Sequence, residues 1–351
     1  MCEGEPLFAL IDGKPTLTTM DGLFESLARK YQTVRTEDGW ETVELTRANV
    51  RILSLDKKRD ELAWTRPFAM ARSVHKGDVL RVTTLRNRTI SATPGHSFIV
   101  DGREVKARHL QVGSLIPIVR HIPATGLAPL TQIVLADYLP GARVTERGVV
   151  MGGRESIQIP APAVVALDEK FAWFLGFFVA EGYVGKGFAS IYNKDRALID
   201  RAVASADALG LSTSLRVQRG LTELRVFSKA FVALLSSVTV SRRVGTGKGS
   251  QARYKKVPDF VFAMADEGKV AFLNGFYEGD GGEEGSGVVL ATSSRELANG
   301  LVLLCEQLGI FPTLRVRGKN VKSYSVAIGR AGAALLGIEL STPTPMGTDN
   351  G

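Results

Sequence analysis

The chain has 351 residues, a net charge of +8 and a pI near 9.5. Its 44% hydrophobic and 23% charged content excludes a disordered chain and suits two folded domains, while two cysteines exclude a disulfide framework and, without paired metal-ligand cysteines, argue against zinc. No signal peptide is apparent, and the apolar run Phe171–Ala180 is too short to cross a membrane, so a cytoplasmic protein is expected.

Cys2 follows Met1, and Pro6–Ile11 is a short apolar run followed by Asp12-Gly13, a turn signal. An amphipathic helix is predicted around Met20–Lys30. Val50–Asp56, Leu80–Leu85, Thr89–Ala92 and His96–Val100 read as short strands between turn residues. Together they predict a compact all-β domain over 1–125. Thr93-Pro94-Gly95-His96 ends one of these strands. From Ile118 to Ala166 the sequence is rich in Pro, Gly and Ala with few strong patterns, which suits a linker.

A repeat then begins. Phe174–Gly182 reads Phe-Leu-Gly-Phe-Phe-Val-Ala-Glu-Gly, and 99 residues later Leu273–Gly281 reads Leu-Asn-Gly-Phe-Tyr-Glu-Gly-Asp-Gly. The same offset maps Gly176 onto Gly275, Arg196 onto Arg295, Leu209-Gly210 onto Leu308-Gly309 and Leu215-Arg216-Val217 onto Leu314-Arg315-Val316. Two gapless copies signal a duplicated domain. Each copy predicts an apolar helix ending at Gly182 or Gly281, where glycine suits a left-handed helix end. A second helix follows at Lys194–Leu209 or Ser293–Leu308. Strands come next, at Ser214–Val217 with Glu223–Phe227, and at Thr313–Val316 with Ser323–Ile328. The reading is α+β, with an antiparallel sheet in each half and repeats at about 167–265 and 266–340.

Gly176 with Ala180, and Gly275 with Gly279, are four apart and share a helix face. Small residues at that spacing let two backbones approach closely, which would bring Glu181 and Asp280 together. Carboxylates at helix C-termini are unfavourable unless a cation is present, so matched acids at both ends suggest a metal site. Basic residues cluster nearby: Arg242, Arg243, Lys248, Arg253, Lys255 and Lys256 in one stretch. Arg315, Arg317 and Lys319 alternate along a predicted strand and share one face, where arginine can read guanine and lysine can meet phosphate. Lys322 and, in the first copy, Arg216, Gln218 and Arg225 complete the candidate DNA contacts.

On these two nonapeptides the chain resembles the LAGLIDADG homing endonucleases in their single-chain, two-repeat form, over roughly Leu167–Leu340. The resemblance implies αββαββα repeats about a pseudo-twofold axis, and for 126–166 it offers, beside a linker, a DNA-contacting extension such as some relatives carry. It implies site-specific cleavage of double-stranded DNA, with Glu181 and Asp280 as catalytic acids holding Mg2+ or Mn2+. Both are hard oxygen donors suited to such ions. Lys256, in Lys256-Val257-Pro258, would assist at the scissile phosphate. Cys2 with Thr93 and His96 resembles the N-terminal splicing segment of an intein, the Hint fold, and Leu53-Ser54-Leu55-Asp56 resembles another of its blocks. That resemblance implies that Cys2 attacks the preceding carbonyl, that His96 protonates the departing nitrogen and that Thr93 orients the peptide. Host-protein exteins would flank such an element. An intein should close on a histidine-asparagine pair, whereas this chain ends Thr348-Asp349-Asn350-Gly351. The C-terminal splicing half is therefore expected to be missing, and 341–351 to be a flexible tail.

The sequence thus predicts a monomeric, intein-associated, metal-dependent DNA endonuclease. The alternatives are a maturase-like nucleic-acid binder that does not cut, or a splicing fragment that acts with a separate C-terminal piece.

Overall fold

The computed structural model describes residues 2–56, 61–153, 158–241, 251–318 and 322–341. The chain divides into two units: Met1–Ala128 with Glu306–Gly309, and Pro129–Cys305 with Ile310–Gly351. Among the described residues no helix is long and apolar enough to cross a membrane.

The first unit is strand-rich. β1 (Pro6–Ile11) and β2 (Lys14–Thr19) form a hairpin, followed by α1 (Met20–Ala28), β3 (Thr33–Arg35) and β4 (Glu41–Glu44). Then come β5 (Val50–Asp56), β6 (Glu61–Thr65), β7 (Ala69–Arg72), β8 (Leu80–Thr83), β9 (Thr89–Ala92), β10 (Ser97–Val100) and β11 (Arg103–Lys106). The sheet orders are β2-β1-β5-β6, β3-β4-β7, β8-β9 and β10-β11. Asp12 and Gly13 carry φ of 52° and 77°, the left-handed pair that a two-residue hairpin turn requires. The amphipathic face of α1 supplies Leu23, Phe24 and Leu27 to a core with Val43, Leu45 and Val50.

The second unit begins with β12 (Gln132–Val134), β13 (Ala142–Thr145), β14 (Gly148–Met151) and β15 (Val164–Ala166), paired β12-β15 and β13-β14. The stretch 126–166, expected to be a linker or a DNA-contacting extension, carries these four strands, with Ile133, Leu135, Val149, Val150 and Val165 buried. Its strands of three or four residues are too short to show a clear alternation in sequence.

Two equivalent layers follow. The first repeat is α2 (Glu169–Glu181), β16 (Gly182–Val184), β17 (Phe188–Asn193), α3 (Arg196–Ala208), β18 (Ser212–Gln218), β19 (Leu221–Phe227) and α4 (Lys229–Thr239). The second is α5 (Asp266–Asp280), β20 (Gly281–Glu284), β21 (Gly287–Thr292), α6 (Arg295–Gln307), β22 (Thr313–Arg317), β23 (Ser323–Gly329) and α7 (Arg330–Leu335). Both read αββαββα, and their sheets have matching orders, β16-β17-β19-β18 and β20-β21-β23-β22. The offset of 99 holds through β22, where Ser214 corresponds to Thr313. Arg225, the partner of Ser214, corresponds to Ala327, the partner of Thr313, so the offset becomes 102 at β23. The second hairpin is longer by that difference.

The helices α2 and α5 pack directly on one another. A Cβ on Gly176 would lie 2.0 Å from the carbonyl oxygen of Phe272, and one on Gly275 would lie 2.1 Å from that of Trp173. The contacts are reciprocal under the repeat offset, as a pseudo-twofold axis demands. Residues 171–180 of α2 are all buried, because this helix lies between its partner and its own sheet. Phe174 stacks with Phe178 and meets Phe231 of α4, whereas the ring of Phe177 stays at the seam, 3.4 Å from where a Cβ on Gly279 would lie; these rings and that of Phe276 are at most 2% exposed.

One expectation needs correction. Gly182 and Gly281 have φ of −83° and −102°, so neither is left-handed. The chain passes straight from helix into strand there, and a Cβ would lie 2.3 Å from the ring of Phe178 or Tyr277. Closeness to the preceding turn, and not handedness, selects glycine at both motif ends. Among the described residues, left-handed helix ends are Gly210 (φ 68°), Gly309 (φ 73°) and Gly337 (φ 69°).

Gly176→Val and Gly275→Val should each destabilise the second unit by about 3 kcal/mol or more, since the obstacle is backbone. Gly210→Ala, with open space around its Cβ but a left-handed φ, should lose about 1–2 kcal/mol. Urea unfolding of the three variants measures the contrast.

Candidate active site

The helix pair delivers two carboxylates to one place. Glu181 is the last residue of α2 and Asp280 the last of α5. A Cβ on Gly279 would sit 2.5 Å from the Cβ of Ala180 and 3.1 Å from Cγ of Glu181, so the helices remain in contact down to these acids. Both carboxylates also stand at the negative ends of their helices.

Three groups there perturb one another. Loss of hydration raises Glu181 to about 7; the charge of Asp280 adds to this, while Lys255 and a hydrogen bond from Asn193 oppose it. Asp280 is raised as well, by burial against the opposing pull of Lys255. Burial draws Lys255 down to about 8, against the attraction of Asp280 and Glu181. The Nζ of Lys255 donates to the Ala180 carbonyl at 2.7 Å, at an otherwise unsatisfied helix end. Asn193, closing β17, donates through Nδ2 to Glu181 Oε1 at 3.0 Å and fixes the orientation of that carboxylate.

The donor set fits a hard divalent cation. Two carboxylates whose repulsion a cation would relieve match the one or two protein carboxylates that Mg2+ takes, with water and phosphate filling its other positions. Among the described residues no cluster of three or more His, Cys, Asp or Glu side chains could hold a metal.

The lysines fall out differently from the sequence reading. Lys256, expected beside the phosphate, pairs with Asp259 at 3.7 Å. Lys255, expected as a DNA contact, is the lysine that interacts with both acids. Neighbouring residues in extended backbone point to opposite sides, so a Lys-Lys pair leaves the choice to the fold. Asn193 was not anticipated, because its link to Glu181 rests on the β17 turn and has no signature spacing.

The sheets hold the other candidates. Arg216 and Gln218 are exposed on β18, and Arg225 is half-buried on β19. Arg315 and Arg317 lie on β22 and both pair with Glu284, Arg317 at 3.4 Å. Lys322 is exposed just before β23. Arg242, Arg243, Lys248 and Lys319 lie outside the described residues, as does the expected tail beyond Ser341.

In the first unit, the Cys2 amide donates to the Ser91 carbonyl at 3.1 Å, and the His96 amide to the Thr93 carbonyl at 3.0 Å. The Glu5 carboxylate accepts the Ser91 amide at 3.0 Å, and the Arg108 amide donates to the Pro94 carbonyl. The opening segment is thus sewn to β9, two residues before Thr93. Burial lowers the His96 imidazole below its ordinary value, with Lys106 adding to the effect. His96 also meets Phe98 edge-on at 5.3 Å.

Comparison with known proteins bears on the duplicated half. Residues 168–238 and 267–334 match the LAGLIDADG-like domain, so the chain carries this domain and its α/β fold in two copies. The DNA-directed RNA polymerase subunit Rpo1C of Methanocaldococcus jannaschii is 29% identical over 285 residues, 78% of this chain and 31% of that protein. An A-type ATP synthase subunit of Pyrococcus abyssi is 28% identical over 77% of this chain and 26% of its own length. A DNA polymerase of Thermococcus sp. is 33% identical over 42% and 8%. The chain thus spans less than a third of these relatives. Among solved structures, the homing endonuclease I-DmoI in complex with DNA and Mn covers 50% of this chain and 98% of its own, at 16% identity and a TM-score of 0.38. Full-length WhiA from Thermatoga maritima covers 48% and 54%, at 11% identity and a TM-score of 0.36.

The raised Glu181 sets a pH dependence. Its folded value lies above the ordinary carboxylate value, so the folded state holds the proton more tightly. Stability is lost as pH rises from 4.5 to about 7, and the full penalty applies above that window. In metal-free buffer, Glu181→Gln should be near neutral at pH 5 and should stabilise by about 1 kcal/mol at pH 8, after allowance for solvent screening. Urea unfolding at the two pH values checks this.

Proposed function

We propose that the chain is an intein-type element whose duplicated half makes a site-specific double-strand break in DNA. The observation that carries the nuclease reading is the pairing of Glu181 with Asp280 at the abutting ends of two helices. These residues would hold Mg2+ or Mn2+, which supplies an activated water and offsets charge on the leaving oxygen. Asn193 orients the Glu181 carboxylate. Lys255 holds a proton at Nζ beside the two acids and offers positive charge where a phosphate would enter, so it takes the role expected of Lys256. Phosphate contacts from the basic sheet residues set affinity and salt dependence, and double-stranded DNA is the partner in this reading. Both acids lie within a single chain, which supports action as a monomer, and the cytoplasm, where DNA is accessible, is its expected location.

The intein reading has separate support. The RNA polymerase, ATP synthase and DNA polymerase relatives have no common activity, yet each matches this chain over a minor part of its own length. A segment inserted into unrelated hosts accounts for that pattern, with the host sequences as its exteins. In the first unit the Cys2 sulfur would attack the carbonyl carbon before it. A carbon–sulfur bond forms, the carbon–nitrogen bond breaks, and the thiol proton ends on the freed amine. His96, whose hold on a proton burial weakens, can relay that proton. The Ser91 carbonyl holds the departing nitrogen, and Thr93 lies at the same corner.

A randomised duplex library incubated with Mg2+ should yield one site cut by the wild type. Asp280→Asn and Glu181→Gln should lose cutting by at least about 100-fold yet still retain that DNA on a filter. Lys255→Met should lose more activity than Lys256→Met. Retention without cutting by the wild type would favour a maturase-like binder. Separately, dithiothreitol should release a protein fused before Cys2, and Cys2→Ala should abolish the release.

A further inference from the structure

The two sheets differ on the face turned away from their helices. Leu224 and Val226 of β19 face the core, and the alternate residues Glu223 and Arg225 face outward. The register sets Tyr192 and Arg216 opposite Glu223, and Ser190 and Ser214 opposite Arg225.

On this outer face Glu223 is only 3% exposed. Its Oε1 accepts from Ser190 Oγ at 2.9 Å, Tyr192 OH at 2.6 Å and Arg225 Nε at 2.9 Å, and its Oε2 accepts from Arg225 Nη2 at 3.0 Å. Loss of hydration would raise this carboxyl, but Arg225, Tyr192 and Ser190 outweigh it and hold it at about 2, so it stays charged. The Arg225 guanidinium lies 4.9 Å over the ring of Phe188. Tyr183 stacks on Tyr192 at 6.0 Å. Hydrogen bonds and stacking thus fix the guanidinium on two sides.

A solvated sheet face does not need a buried carboxylate, which adds negative charge to a surface meant for phosphate. The arrangement makes sense if rigidity is its purpose. Glu223 takes the Nε edge of the guanidinium. Arginine has five donors in a planar fork, so the Nη1–Nη2 edge remains for a second planar partner. Guanine offers O6 and N7 to such an edge in the major groove.

The equivalent positions of the second sheet carry no counterpart, and its Arg315 and Arg317 pair instead with the exposed Glu284 of β20. Under the observed register Ser190, Tyr192, Glu223 and Arg225 correspond to Val289, Ala291, Ser325 and Ala327. We propose that the two halves read DNA by different means, and that Glu223 is a positioning residue which presents Arg225 to a guanine in the half-site bound by the first repeat.

This inference rests on the DNA-cleaving reading, and its test separates the two. The site selected from the library is varied at each position, and cutting and binding are measured for wild type, Arg225→Ala, Glu223→Gln, Tyr192→Phe and the Glu223→Gln/Arg225→Ala pair. Arg225→Ala should lose about 5- to 150-fold of preference for guanine at one base pair, the equivalent of 1–3 kcal/mol. Glu223→Gln should relax the same base pair, leave the other half-site and the salt slope unchanged, and add nothing to Arg225→Ala. Tyr192→Phe, which keeps the ion pair, should relax that base pair less, and it decides the matter if melting curves show Glu223→Gln unfolded. Uniform loss across all positions, or relaxation at a base pair other than the one Arg225 reads, would overturn the proposal. A wild type that selects no DNA would overturn the nuclease reading itself.

Discussion

The second unit depends on a backbone-to-backbone contact between α2 and α5. Gly176 meets the Phe272 carbonyl and Gly275 meets the Trp173 carbonyl, both at distances where a side chain has no room. The contact fixes the distance and rotation of the helices together. Every later feature follows from it: the sheets are carried on either side, and the last residues of both helices end side by side. A looser seam, with a side chain between the helices, would separate the two acids.

That geometry concentrates unfavourable electrostatics. Two carboxylates lose hydration, repel one another and stand at negative helix ends, and a lysine is drawn into the same dehydrated space. Folding supplies this arrangement through the apolar packing of Phe174, Phe177, Phe178, Phe272 and Phe276, which are almost wholly buried. The site is strained in isolation and relieved by positive charge, a common condition of functional sites. Lys255 relieves part of it, and a divalent cation would relieve more.

Much of this was legible in the sequence because the repeat displays each feature twice. The helices at 194–209 and 293–308 and the strands after them lie within a few residues of the observed α3, α6, β18, β19, β22 and β23. The small residues at four-residue spacing anticipated the seam. What escaped detection depends on tertiary placement. Lys255 and Lys256 are indistinguishable until the backbone gives each a direction. Asn193 reaches Glu181 only because β17 folds back beside α2. The strands of 129–166 are too short to show a period. The alternation of Glu223 with Arg225 was readable as a shared face, whereas the partners that bury the carboxylate come from another strand.

The central claim is that Glu181 and Asp280 form one cation-holding pair, and a thermal-shift double-mutant cycle tests it most directly. Unfolding temperatures of wild type, Glu181→Gln, Asp280→Asn and the double variant would be compared with and without Mn2+. The account predicts a clear Mn2+-dependent rise in wild type, loss of most of that rise in either single variant, and no further loss in the double variant. Independent losses that simply add, or a rise that survives both substitutions, would contradict it.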